Sequence, residues 1–477
     1  MYKTAVEESS RPLVTDMDGT LLKTDTLWEG FFAALGEKPW ILFLLPLWLV
    51  RGRLFFKQQL AGHSAAHAET YPVNQAVLEV LEAASRNGRE LYLASAACRP
   101  VTEAVARRFG CFTAVFASED GQNLKGSAKA ELLRAHFGER GFDYIGDANA
   151  DMPVWQAAGT AWVVAPAGSH MVKKVQTINS DCKVIETASP GAKDYYKALR
   201  IHQWIKNILI FVPMLLAHRF TLPDLGNSFI AFLAFSCCSS AIYIVNDLCD
   251  LATDRQHRSK KKRPFAAVKI PLRTGVACFF LCLAAACFFS FFLPFKFLLS
   301  LVGYLVLTTS YTLCFKQRLF ADVIVLACLY VMRLVAGATA LDCSLSNWLL
   351  SFGVFIFLGL ALLKRVGDLI QHESIGNLPG RAYLIADKTM LEIMAACSGF
   401  SSIVVAGLYV DSMQAIQLYS YPYLLWGVCF VLAYWFGRLC ILVHRGEVGD
   451  DPVAFAVKDR ASYVCFLVIA ALSFLAI

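Results

Sequence analysis

The 477-residue chain is 57% hydrophobic and only 17% charged, and its mean hydropathy of +0.51 lies above the range of a wholly soluble protein, so part of it must lie in lipid. A formal charge of +7 does not point to nucleic acid, because the densest basic cluster, Arg255 to Arg263, adjoins an apolar span, where positive charge marks the cytoplasmic side of a membrane. The 16 cysteines sit mostly inside apolar runs (Cys237, Cys238, Cys282, Cys287, Cys328), without a C-x-x-C pair or His/Cys metal spacing, and read as reduced core residues rather than a disulfide framework.

The chain opens on a polar stretch, Met1 to Arg11, with no signal-peptide pattern, which predicts a cytoplasmic N-terminal half. Short apolar runs precede Asp16, Ser95 and Gly146, with helical patterns at Asn74 to Asn87 and Val101 to Phe109 between them. This alternation predicts buried parallel strands in a doubly wound α/β domain. An insertion from Leu27 to Tyr71 separates the first two strands and contains the apolar stretch Trp40 to Val50, broken by Pro46 and followed by Arg51, Gly52 and Arg53. It is too short to cross a bilayer. A buried cap helix over the site and a segment resting on the membrane are both open, and they are compatible.

A boundary near residue 190 separates this domain, 1–185, from a polytopic α-helical membrane domain, 190–477. About nine spans are expected there, beginning near residues 205, 228, 274, 295, 320, 347, 390, 420 and 461. The loops after the second, fourth, sixth and eighth spans hold about sixteen Lys and Arg against about two, Arg219 and Lys296, in the others. That asymmetry orients the long polar loops toward the cytoplasm and the C-terminus away from it.

Two constellations carry chemistry. In the first, Asp16-Met17-Asp18-Gly19-Thr20 leaves the end of the Leu13-Val14 strand, and carboxylates two residues apart beside a glycine turn suit a nucleophile paired with a general acid. Ser95, Lys129, Gly146-Asp147 and Asp151 follow in order. This set resembles the haloacid dehalogenase superfamily over roughly residues 10–170. The resemblance implies that Asp16 is phosphorylated, Asp18 moves the proton, Ser95 binds a phosphoryl oxygen and Lys129 neutralises charge. It also implies Mg²⁺ held within the set Asp16, Asp18, Asp147 and Asp151, a helical cap at about 27–71, and Lys125 as a competitor for the role of Lys129.

In the second, Asn246-Asp247-x-x-Asp250-x-x-x-Asp254-Arg255 stands at the inner end of the second span, where spacings of three and four put the aspartates on one helical face. Like charges so aligned at a membrane boundary point to a bound cation and a diphosphate. The pattern resembles the first aspartate-rich motif of the UbiA superfamily of intramembrane transferases and covers most of 195–477. Asp247, Asp250 and Asp254 would then hold Mg²⁺, so that each domain carries one, with Asp247 and Asp250 catalytic. Lys206, Asn207, Asn246, Arg255, Arg263, Tyr311, Lys316, Arg333, Lys364, Arg365 and Asp368 would bind substrate; Arg333 is equally open to an internal pair with Asp322.

The family's second D-x-x-x-D motif is replaced by Lys364-Arg365-Val366-Gly367-Asp368, with Arg381 further on, and cations there favour phosphate over a second metal. This feature, with Gln203-Trp204-Ile205-Lys206-Asn207, Asp450-Asp451-Pro452 and Lys458-Asp459-Arg460, is similar to the decaprenyl-phosphate phosphoribosyltransferase branch. The implied partners are phosphoribosyl pyrophosphate, a polyprenyl phosphate and the lipids of the inner membrane, with the N-terminal domain removing a phosphate. Two alternatives remain: prenyl transfer to an aromatic quinone or haem precursor, and a phosphatase on a noncatalytic lipid-binding anchor.

Overall fold

The computed structural model describes residues 10–119, 123–166, 168–257, 260–371, 381–449 and 451–477; Asp450, Arg258 and Ser259 lie outside the described residues. Two compact units are present: Met1–Arg200 with Tyr243–Phe280, and Ile201–Ile242 with Leu281–Ile477. The first therefore includes the aspartate-rich segment that the sequence boundary near 190 assigns to the membrane domain.

In the first unit six strands, β1 (Leu13–Thr15), β2 (Leu91–Cys98), β3 (Ala114–Ser118), β4 (Asp143–Gly146), β5 (Ala161–Ala165) and β6 (Cys182–Glu186), form one sheet in the order β3-β2-β1-β4-β5-β6. Every pairing is parallel. Alternate residues feed opposite faces, as the period of two requires. Leu13, Leu91, Leu93 and Ile145 pack with Val77, Leu81, Val101 and Val105, and Val14, Tyr92, Tyr144 and Val163 pack with Leu133 and Trp155. Burial on both faces explains why these strands read as continuous apolar runs. The strand order reverses at β1, so the loops after β1, β2 and β4 meet at a topological switch point.

Between β1 and β2 lies the expected helical cap: Thr26–Glu37, Ile41–Val50 and Arg53–Ala66. Asp25 starts it, accepting the Leu27 and Trp28 amides at 3.0 and 3.4 Å. The cap has a small core of its own, with Ala34, Ile41 and Leu60 packed by Phe31, Leu45, Trp48 and Phe56. The Ile41–Val50 helix buries only Ile41; Phe43 and Val50 are each 85% exposed, and Trp40, Leu42, Leu47 and Leu49 are exposed too. It is thus part of the cap, yet it turns an apolar surface outward beside Arg51.

Seven helices among the described residues are long and apolar enough to cross a membrane: Leu222–Cys249, Leu272–Ser290, Phe295–Phe315, Ala321–Ala340, Asn347–Gln371, Ile385–Val410 and Pro422–His444. These correspond to seven of the nine expected spans. The first and last differ. Ile201–Phe211 is a 3₁₀ helix of 11 residues continued by the short helix Val212–Leu216, and Arg460–Ala476 has 17 residues, about 26 Å at 1.5 Å per residue against a hydrocarbon core of about 30 Å. Close packing in the second unit uses glycine where backbone meets backbone: a Cβ on Gly337 would lie 2.1 Å from the Ile210 carbonyl oxygen.

An exposed helix that is apolar on all sides and flanked by arginine fits a lipid interface. A photo-crosslinking residue introduced at Phe43 in the full chain, reconstituted in nanodiscs, is expected to label lipid, whereas the same group at the exposed Glu82 should not. Equal labelling at both positions would contradict an interfacial role.

Candidate active sites

In the first unit, β1 delivers Asp16, whose amide bonds to the Ile145 carbonyl at 2.8 Å, and β4 delivers Asp147. Gly19 turns the chain back at φ +78°, and any Cβ there would strike the Asp147 carboxylate at 2.1 Å, so only glycine lets the loop close over it. Thr20 Oγ donates to Asp147 at 3.1 Å. Lys129, 3% exposed, donates to Asp16 at 2.7 Å, to Tyr144 Oη at 2.9 Å and to Asp151 at 3.4 Å. Tyr144 Oη donates to Asp151 at 3.0 Å. Lys129 therefore occupies the place for which Lys125 competes in sequence; Lys125 is exposed.

Ser95 is buried within β2, at the register shift between Ala94 and Cys98, and its Oγ accepts the Ala97 amide at 3.1 Å. Asp16, Asp147 and Asp151 each offer an oxygen, all within 4.8 Å of one another. Three carboxylates against one ammonium suit a divalent cation. Asp18 stands outside that trio, its carboxylate accepting the Thr26 amide at 2.8 Å.

The electrostatics separate the two carboxyls of the D-x-D. Burial lifts Asp16 to about 6, with Lys129 pulling the other way. Burial and then Asp25 lift Asp18 to about 8. Burial and Asp16 hold Asp147 well above the usual carboxylate range. Burial opposes the charge of Lys129, but Asp16 and Asp151 outweigh it and keep its pKa above that of an ordinary lysine. Asp18 thus holds its proton more tightly than Asp16, an arrangement suited to attack phosphorus with an oxygen of Asp16 and protonate a leaving oxygen from Asp18.

The same unit holds the aspartate-rich segment. Its helix does not run through: it ends at Cys249 and restarts at Leu251, with Asp250 at the junction, so the three aspartates do not share one unbroken helical face. Asp250 donates its amide to the Asn246 carbonyl at 3.0 Å. Asp247 and Asp254 are brought together by Arg263, whose Nη1 reaches them at 3.0 and 2.7 Å. Two carboxylates sharing one donor atom converge as ligands of a hard cation must. Arg200 also pairs with Asp247 and stands 4.9 Å over the Tyr243 ring; no periodicity in the sequence singles it out.

Arg255 is not among the residues facing Asp247. It forms a two-pronged, buried ion pair with Glu29 of the cap at 2.6 and 3.1 Å and donates to the Ala266 carbonyl at 3.0 Å. Glu29 also accepts Thr24 Oγ at 2.6 Å. Arg255 therefore faces the cap glutamate, with one bond from each of its three nitrogens spent on the protein.

In the second unit Asp322 is a hub. It accepts Arg365 at 2.7 Å and the Tyr383 hydroxyl, with Arg381 at 3.6 Å. Arg365 also donates to Asp368 at 2.5 Å and to Tyr311 Oη at 3.2 Å, and Arg381 reaches Tyr311 Oη at 2.8 Å and the Lys316 carbonyl at 2.9 Å. Arg333 does not pair with Asp322. Its Nε donates to Asn207 Oδ1 at 2.9 Å, Asn207 donates in turn to Ser236 at 2.9 Å, and the guanidinium lies 5.3 to 5.5 Å from the ring centres of Phe235, Tyr304 and Tyr330. Lys206 pairs with Asp451, which Lys364 approaches at 3.8 Å. Burial opposes the Asp451 charge, but these two lysines hold its pKa below the usual value.

A parallel-sheet domain with a carboxylate trio, followed by apolar helices that span a membrane and carry buried ions, defines a two-domain integral membrane enzyme. The sequence matches the UbiA prenyltransferase family over residues 208–458 and the haloacid dehalogenase-like hydrolases over residues 13–156. An uncharacterized protein of Sinorhizobium fredii is 34% identical over 463 residues, spanning 95% of this chain and 88% of that one. Nodulation protein NoeC of Azorhizobium caulinodans is 33% identical over 57% of this chain and 90% of its own, and the decaprenyl-phosphate phosphoribosyltransferase of Mycolicibacterium smegmatis is 26% identical over 57% and 88%. The chain belongs to the UbiA prenyltransferase family, with a haloacid dehalogenase-like domain fused at its N-terminus.

Replacing Glu29 by Gln would leave the Arg255 guanidinium buried without a carboxylate, at a cost of about 3 kcal/mol or more. The full chain is expected to unfold at least about 5 °C earlier on heating; an unchanged transition would show that this pair contributes nothing.

Proposed function

We propose that the membrane domain transfers the 5-phosphoribosyl group of phosphoribosyl pyrophosphate to a polyprenyl phosphate at the cytoplasmic face of the inner membrane, and that the N-terminal domain hydrolyses the 5-phosphate of the product. The observation that carries this reading is the distribution of charge partners in the second unit. Asp322 and Asp368 are engaged by Arg365 and Arg381, so neither is spare for a second metal. Arg333, 4% exposed, has only neutral partners among the described residues. A buried cation without a counter-ion at membrane depth favours an anionic ligand, and a phosphoribosyl donor with a lipid phosphate acceptor brings more phosphate than a prenyl diphosphate with an aromatic acid. The relative named decaprenyl-phosphate phosphoribosyltransferase supports the same choice.

Asp247, Asp250 and Asp254 in one site and Asp16, Asp147 and Asp151 in the other are the residues to hold Mg²⁺, which when bound neutralises phosphate charge. In the first unit Arg263 and Arg200, which stand beside Asp247, take pyrophosphate oxygens, and in the second unit Arg333 binds a phosphate. An oxygen of the lipid phosphate attacks C1 of the ribose as the bond from C1 to pyrophosphate oxygen breaks, and pyrophosphate leaves. In the phosphatase, a carboxylate oxygen of Asp16 attacks the phosphorus of the 5-phosphate, and the ester oxygen departs with the proton of Asp18. Ser95 and Lys129 hold phosphoryl oxygens. Water then attacks the phosphoaspartate, Asp18 accepts its proton, and inorganic phosphate leaves with Asp16 restored. One chain carrying both steps presents the lipid product to the phosphatase at high effective concentration.

Release of pyrophosphate from phosphoribosyl pyrophosphate by the purified chain with Mg²⁺ tests the transfer. It is expected to require polyprenyl phosphate, and to fall by about 10²-fold or more in Asp247→Ala and in Arg333→Gln. Release that ignores the lipid, or joining of a prenyl diphosphate to an aromatic acid in a parallel assay, would overturn the phosphoribosyl reading. Full activity in Asp247→Ala would make the membrane domain an anchor.

A further inference from the structure

The phosphatase pocket, about 480 Å³, is larger than one phosphoryl group requires, and Lys57 and Lys125 line it in addition to Lys129. Lys129 pairs with Asp16 and Asp151 and serves the phosphoryl site itself. Lys57, from the cap helix Arg53–Ala66, enters the same pocket and is half-buried. Its ammonium donates to the Ala96 carbonyl at 2.8 Å and to Asn123 Oδ1 at 3.0 Å. Both acceptors are neutral, and among the described residues no carboxylate oxygen lies within 4 Å of it. Lys125, exposed, lines the same pocket two residues beyond Asn123.

Two ammonium groups lining one pocket repel each other, and a partly desolvated one whose hydrogen-bond acceptors are both neutral is stabilised by an anion placed between them. Burial depresses the Lys57 pKa, Cys98 and Asp18 pull it partly back up, and the charge of Lys125 adds to the depression. Ala96, the acceptor of Lys57, follows Ser95 directly, so this wall adjoins the residue assigned to a phosphoryl oxygen. We propose that Lys57 and Lys125 form a second anion subsite, which makes the phosphatase selective for phosphate monoesters that carry another phosphate or phosphodiester elsewhere in the molecule. The inference rests on Asp16 as phosphoryl acceptor. It matches a substrate that keeps a lipid-linked phosphodiester at C1 while the 5-phosphate is cleaved, and it disfavours simple sugar monophosphates.

The test uses the full chain with Mg²⁺ and two soluble probes: p-nitrophenyl phosphate, with one anionic group, and 5-phosphoribosyl 1-(methyl phosphate), with two. The wild type is expected to favour the second by kcat/KM. The ratio of the two kcat/KM values should fall about tenfold in Lys57→Gln and again in Lys125→Gln, the loss of one charge-assisted contact in each. Lys125 is exposed, so its variant decides the matter even if Lys57→Gln folds poorly. An unchanged ratio in Lys125→Gln, or equal losses on both probes in Lys57→Gln, would overturn the subsite and leave the phosphatase reading standing. A wild type that hydrolyses neither probe nor the phosphoribosylated lipid would overturn both.

Discussion

The ion pair between Glu29 and Arg255 is the contact on which the arrangement of the first unit depends. Both side chains are almost completely buried, and the two oxygens of one carboxylate meet two nitrogens of one guanidinium, the geometry in which such a pair repays its desolvation. Glu29 belongs to the first cap helix and Arg255 to the segment that follows the aspartate-rich turn, 226 residues later in the chain. A Cβ on Gly36, in the same cap helix, would lie 3.0 Å from the Cys249 carbonyl oxygen, so backbone packs closely on backbone beside the pair. The segment Tyr243–Phe280 accordingly belongs with the parallel sheet.

The same pair joins two kinds of chemistry. On one side, Glu29 accepts Thr24, and Thr26, one residue beyond Asp25, donates its amide to Asp18. On the other, Arg255 stands next to Asp254, which Arg263 ties to Asp247. Elsewhere charges are either consumed or kept available. Asp322 and Asp368 are consumed by arginines, whereas Arg333 and Lys57 are held by neutral groups. Cations whose partners are neutral thus occur in both units.

Much of this was legible in the sequence where function is local or periodic. Asp16 and Asp18 follow β1, Ser95 lies in β2 and Asp147 follows β4, strands whose apolar runs announce them; Asp16, Asp18, Lys129, Asp147 and Asp151 line one pocket, with Ser95 buried beside its Ala96 wall. The long apolar helices were equally plain. What escaped was set by long-range pairing. Nothing in the run Asp254-Arg255 tells that the arginine faces a cap glutamate, that Arg200 reaches Asp247, or that Arg333 prefers Asn207 and three aromatic rings to Asp322. The helix break at Asp250 is invisible to a count of three and four, since that count assumes an unbroken helix. Likewise, composition marks Ile201–Leu216 as apolar but does not reveal its 3₁₀ winding. In the cap, the stretch Ile41–Val50 left two roles open because burial of a helix depends on neighbours and not on its own hydropathy.

The central claim is that the two domains act in succession on one lipid. Mass spectrometry of lipid extracts tests it most directly, after the purified chain and its Asp16→Asn variant are each incubated with Mg²⁺, phosphoribosyl pyrophosphate and a polyprenyl phosphate. The account predicts a phosphoribosylated lipid in the variant and the same lipid lighter by one phosphate in the wild type. Identical products from both proteins, or no pentose lipid from either, would contradict it.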